Sequence, residues 1–224
     1  MLDFPLLLLL PAILGFLAQR KVISTFREWS RVPNAAGITG EETARRVLAA
    51  RGVQGVAIEQ TQGKLTDHYD PKSNILRLSD AVAGERSVAA IGIAAHEAAH
   101  AIQDAEGSVM QRFRMAIGEP LARLSQWSGV IFIGAFWFGI PILMLLAGLI
   151  LAGYVLFALV TLPVEIGASQ EASRVLIATA TATEDDIRGV RKVLRAAAGT
   201  YVAALGQRLG FFLFLVSAVM LGRA

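Results

Sequence analysis

The chain has 224 residues, 54% of them hydrophobic and 17% charged, and a mean hydropathy of +0.55. That is the composition of a polytopic membrane protein rather than of a soluble single domain. Net charge is only +3, so the pI of about 9.6 is better explained by basic orientation signals beside membrane spans than by nucleic-acid binding, and the absence of cysteine confines metal ligands to His, Glu or Asp.

Residues 4–18 are apolar throughout, with Pro5 and Pro11 inside the run, and Arg20 and Lys21 follow at once. A secretory signal carries its positive charges before the apolar run. Residues 1–30 therefore read as a first membrane span and a basic linker, with Arg20, Lys21, Arg27 and Arg31 in the cytoplasm. Residues 31–127 read as a catalytic α+β region. Thr39 and Glu42 have the spacing of a capping box, Val47 and Leu48 supply an apolar side, and Gly52 ends that helix. Residues 53–59 predict a strand, and residues 64–69 and 75–78 flank the turn Asp70-Pro71-Lys72-Ser73-Asn74 as a hairpin. Such a sheet offers an edge with which an extended peptide can pair. His68 and Tyr69 lie in the hairpin, either as hydrogen-bond donors to the chemistry or, more simply, as structural hydrogen-bonding groups.

Residues 87–106 predict one helix, with Ser87 as N-cap, Val88, Ile91, Ala95 and Ile102 near one stripe, and Gly107 as the stop. It carries His96-Glu97-Ala98-Ala99-His100. Positions four apart lie on one helix face, about 6 Å apart along the axis, so both imidazoles reach one ion. Glu97 projects beside that ion, where its carboxylate can take a proton from a water there and hand it to a leaving amine. This is the arrangement for metal-assisted hydrolysis. Against a chance pair of surface histidines stand the mid-helix position and the use here of two of the chain's three histidines.

Residues 128–162 contain no charge over 35 positions. One straight helix of that length would be about 52 Å long against a ~30 Å hydrocarbon core. Gly139 and Pro141 sit near the middle, so residues 128–164 read as a transmembrane hairpin of two short spans. Residues 165–224 then supply a helix over 168–177, a break near 181–183, and a long helix opening at Glu184. That helix bears Arg188, Arg191, Lys192 and Arg195 as a basic stripe, which is either a solvated face or a contact for anionic lipid headgroups. Its apolar half is a fourth span, with Arg208 snorkelling or facing the protein. Arg174 and the basic stripe join the cytoplasmic set, and only Arg223 remains on the opposite face.

Two histidines leave zinc's tetrahedral shell incomplete, and hydrolytic sites commonly add a carboxylate. Glu119 and Glu165 are the candidates. Glu119 lies 19 residues after His100 but is followed by Pro120. Glu165 stands where the third span re-emerges, a placement that a metal would justify and that a helix N-terminus would also favour.

The combination Leu65-Thr66-Asp67-His68-Tyr69-Asp70-Pro71, His96-Glu97-Ala98-Ala99-His100-Ala101-Ile102-Gln103 and Leu162-Pro163-Val164-Glu165 resembles the bacterial YugP-type membrane zinc metallopeptidases along nearly the whole chain. The resemblance implies Zn2+ held by His96, His100 and Glu165, with Glu97 as general base and acid. It also implies an acidic residue two positions after the ligand glutamate, where this chain has Gly167, so the atoms that orient the ligands must be found elsewhere. The expected protein is a mainly α, integral membrane, zincin-like one. It has about four transmembrane helices, a small α+β element and an active-site helix, and cleaves a protein or peptide substrate at the cytoplasmic face of the cell membrane, with the lipid bilayer and no nucleic acid as partners. A hydrolase of a lipid or another amide would use the same residues, whereas a metal-binding scaffold would need no Glu97.

Overall fold

A long N-terminal helix, α1 (Asp3–Trp29), opens the chain in a computed structural model that describes residues 3–221 and the side chains of residues 9–217. Arg223 lies outside the described residues. After α1 come α2 (Gly40–Ala50), β1 (Ala57–Thr61), β2 (His68–Asp70), β3 (Ile75–Ser79), a short α3 (Asp80–Ala83) and α4 (Val88–Ala105). Three long helices complete the order: α5 (Val109–Trp137), α6 (Pro141–Ala178) and α7 (Glu184–Leu221).

The chain divides into two units, one of residues 20–112 and 163–198, the other of residues 1–19, 113–162 and 199–224. In the first unit α4 is the centre. Its N-terminus is set by Ser87, whose hydroxyl accepts from the Ala90 amide, and its exit by Gly107 at φ +76°. Seven of its alanines are buried, and small side chains let neighbours come close: a Cβ on Gly92 would stand 3.2 Å from a Val190 methyl of α7. One residue earlier in α7, Gly189 is covered by the Trp29 ring and lies against Val88. The α2 helix, capped reciprocally by Thr39 and Glu42, packs on α4 through Ala44, Val47 and Leu48.

The sheet has the order β1-β3-β2, with β3 central. β2 and β3 form the expected antiparallel hairpin, pairing Tyr69 with Leu76, while β1 runs parallel to β3. Two strand ranges read from the sequence need correction. Gly52 at φ +67° and Gly55 at φ +79° delay β1 from residue 53 to Ala57, because left-handed residues cannot extend a ladder. Gly63 and Leu65, also at positive φ, likewise shorten the next strand to His68–Asp70.

The second unit is helical. Its core holds Phe132, Ala147, Leu151 and Leu215, and Gly129 lets the Phe211 ring approach to 3.0 Å of a notional Cβ. Arg208 faces the protein: its guanidinium donates to the Ser125 carbonyl at 3.2 Å and stands over the Tyr154 ring. α5 and α6 are separated at residues 138–140, with Gly139 at φ +66°, where the sequence placed the turn. Trp137 and Phe138 at this turn are 84% and 77% exposed.

Among the described residues, three helices are long and apolar enough to cross a membrane: Leu9–Trp29, Pro141–Ala178 and Glu184–Ser217. The fourth expected span falls in α5, which is not among them; its apolar stretch is confined to residues 128–137, after Arg112, Arg114, Glu119 and Arg123. A second correction concerns α6. The sequence reading ended the third span near Glu165 and began a separate helix over 168–177, but α6 runs unbroken through Pro163 to Ala178. Pro163 forfeits its own amide bond and crowds the carbonyl of Leu159, yet the helix continues past it.

Candidate metal centre

His96 and His100 stand four residues apart on α4, and their Nε2 atoms converge on one carboxylate oxygen supplied by α6. His96 Nε2 is 3.4 Å and His100 Nε2 is 3.7 Å from Glu165 Oε2. Their rings meet edge to face, with centroids 4.8 Å apart and planes at 81°. The three ligand atoms lie within 4.8 Å of one another. A tetrahedral ion with bonds of about 2.1 Å separates its donors by roughly 3.4 Å, so the spacing suits zinc. The chemistry of the set suits it too: two imidazoles and a carboxylate leave one position open. His100 and Glu165 are buried and His96 is partly so. Buried ionisable groups gathered in this way need a reason, and a cation is one.

The remaining ring nitrogens are fixed from behind. His100 Nδ1 lies 3.0 Å from Gln103 Oε1, and His96 Nδ1 lies 3.2 Å from Ser169 Oγ. An Nδ1–H donated to each oxygen leaves Nε2 as the lone-pair nitrogen facing the centre, the form a metal requires. Gln103 then donates its amide to the Val164 carbonyl at 3.0 Å, so one side chain joins His100 to the turn of α6 that carries Glu165. Gly167 explains the room for it, since a Cβ there would stand 3.3 Å from Gln103 Nε2. Neither Gln103 nor Ser169 was singled out by the sequence as an orienting group. The partners are 61 and 73 positions away, and the only signal was that Gln103 lies one turn beyond His100.

Glu97 follows His96 on α4 and is half-buried. Burial pushes its carboxyl above the ordinary range, opposed by His96 and His100 and reinforced by Glu165 and Asp67. Asp67 is itself raised by burial, despite accepting from the Ser79 amide and hydroxyl. The other carboxylate candidate, Glu119, is exposed on α5 and ion-paired with Arg123. Tyr69 is buried, with its hydroxyl 2.9 Å from Asn74 Oδ1 and 3.0 Å from Asp104 Oδ2; burial and Asp104 hold its phenol well above the usual tyrosine range. His68 is exposed, with Nδ1 2.8 Å from the Thr66 carbonyl.

A helix-borne histidine pair with a glutamate from a second helix is a group that could hold a metal ion, and the chain belongs to the family described as "Putative neutral zinc metallopeptidase", which matches residues 4–220. Among its relatives is the protein named "Putative membrane protease YugP" of Bacillus subtilis (strain 168), 40% identical over 191 residues that cover 85% of each chain. No solved structure gives a significant match.

Proposed function

We propose that this protein is a membrane-embedded zinc endopeptidase whose metal is held by His96, His100 and Glu165 and whose proton carrier is Glu97. The convergence of both Nε2 atoms on Glu165 Oε2, at 3.4 and 3.7 Å, carries the reading. Zinc, when bound, supplies a Lewis acid that polarises the scissile carbonyl and acidifies water. Glu97 takes a proton from the attacking water and delivers it to the leaving nitrogen, and its raised affinity for a proton suits both halves of that task. Gln103 and Ser169 hold the two imidazoles in the required tautomer. Tyr69, engaged by Asn74 and Asp104, keeps the hairpin on α4 and takes no part in the chemistry. The sheet ends on one side in β2, whose outer edge has no strand beside it among the described residues. β2 packs against α4, so an extended peptide pairing there would lie along the catalytic helix.

The membrane reading assigns four crossings: α1, the apolar end of α5, α6, and the apolar half of α7. Counting positive charges then puts the catalytic face in the cytoplasm. The exposed Trp137 and Phe138 at the turn between α5 and α6 suit the opposite membrane interface, where aromatic rings are enriched. The decisive experiment is hydrolysis of an unstructured protein by detergent-purified enzyme. Wild type is expected to cleave internal peptide bonds, and cleavage is expected to vanish in Glu97→Gln. Equal cleavage by both would remove Glu97 from the mechanism.

A further inference from the structure

Ser169 has His96 on one side and a cleft on the other. The cleft, about 570 Å³, lies between α6 and α7, and its polar lining includes Gln170, Ser173 and Arg174 from α6 and Arg191 and Arg195 from α7. Among the described residues no carboxylate lines it. The cations of the basic stripe differ in their engagements. Arg188 pairs with Asp185, and Lys192 stands over the Trp29 ring at 5.1 Å. Arg174 shares Glu171 with Arg51, so one carboxylate faces two guanidiniums. Arg191 and Arg195, one turn apart and both exposed, have no ion-pair partner among the described residues. The two guanidiniums that face the cleft together are thus the uncommitted ones.

Unpaired guanidiniums beside hydroxyl and amide groups form a site for an oxyanion, and their planar donor forks match the oxygens of a phosphate. What surrounds them identifies its carrier. Ile166 and Ile177, 44% and 52% exposed, also line the cleft and give an acyl chain an apolar wall. Both flanking helices are apolar enough to cross a membrane, and α7 reaches Tyr201, in its apolar half, about 9 Å beyond Arg195. Basic pockets between such helices are where lipid phosphates bind. We propose that this cleft binds the headgroup phosphate of an anionic phospholipid, with Arg191 and Arg195 on the phosphate oxygens. The inference rests on the membrane reading of α6 and α7, not on the catalytic one. Because Ser169 is shared, an occupied cleft bears on His96 from behind.

The test uses full-length protein in neutral detergent, titrated with short-chain phosphatidylglycerol, short-chain phosphatidylcholine and inorganic phosphate. Phosphatidylglycerol is expected to bind about tenfold or more tightly than either other ligand, and the Arg191→Gln/Arg195→Gln double variant is expected to lose that advantage. Arg188→Gln, a charge loss on the same helix outside the cleft, should retain it. Equal loss in Arg188→Gln would mean diffuse electrostatics and overturn the site. Inorganic phosphate binding as tightly as the lipid, or an acidic peptide displacing it, would overturn the lipid assignment. Alkaline carbonate extraction separates the two levels. Protein released by carbonate defeats the membrane reading, whereas retained protein without phosphatidylglycerol preference defeats the cleft alone.

Discussion

At the scale of single residues, Gln103 uses both ends of its amide: the oxygen faces His100 Nδ1 and the nitrogen donates to the Val164 carbonyl. Replacing it by leucine keeps the volume but removes both contacts. Gln103→Leu is therefore expected to weaken zinc binding about 10–100-fold, measured by chelator competition, without unfolding the protein. Direct ligands act more strongly. His96→Ala or His100→Ala should abolish the single tightly held zinc in elemental analysis. Glu97→Gln should keep that zinc while hydrolysis falls about 10²-fold or more, because it removes only the proton carrier. The histidines and Glu97 were legible in sequence because helical spacing alone brings them together. Glu165 was preferred over Glu119 for its place at the end of the third span, a preference the family resemblance strengthened, and Gln103 and Ser169 stayed hidden because local pattern says nothing of which atoms meet across 61 or 73 positions.

Among elements, those with local stop and start signals were the ones read well. Thr39 with Glu42, Ser87 and Gly139 each fix a boundary by their own chemistry, and α2, α4 and the α5–α6 turn fall where those residues place them. The parallel partnership of β1 with β3 was not legible, since it depends on non-local pairing. Nor was the continuity of α6, because a proline reads as a break unless its surroundings carry the helix through. Two changes test the packing. Gly189→Ala would drive a methyl into the Trp29 ring and to 2.7 Å from Val88 Cγ1, and is expected to cost about 1–3 kcal/mol in denaturant unfolding. Tyr69→Phe leaves Asn74 and Asp104 short of a donor. It should cost roughly 1–2 kcal/mol yet leave hydrolysis within a few-fold of wild type; a hundredfold loss of kcat would instead make the hydroxyl catalytic.

For the whole molecule, the proposed topology and the proposed ligand set depend on each other: if the helices cross a membrane, Glu165 can join His96 only if residues 128–162 return the chain to its starting side. The absence of cysteine makes this measurable with single introduced thiols. Cysteines at the exposed positions Ser73 and Ala178 should resist an impermeant thiol reagent in intact cells, while one at the exposed Phe138 should react. Labelling at 73 but not at 178 would separate the donors by a membrane and remove Glu165 from the site. The reach of Ser169 back to His96 over 73 positions also has a meaning in time. Chains emerge from the N-terminus at about 5–20 residues per second, so α4 with both histidines is finished several seconds before α6 delivers its carboxylate and hydroxyl. Throughout that interval, and in any product truncated before residue 163, the chain carries the two histidines without Glu165, and on the proposed reading it stays inactive until α6 has been made.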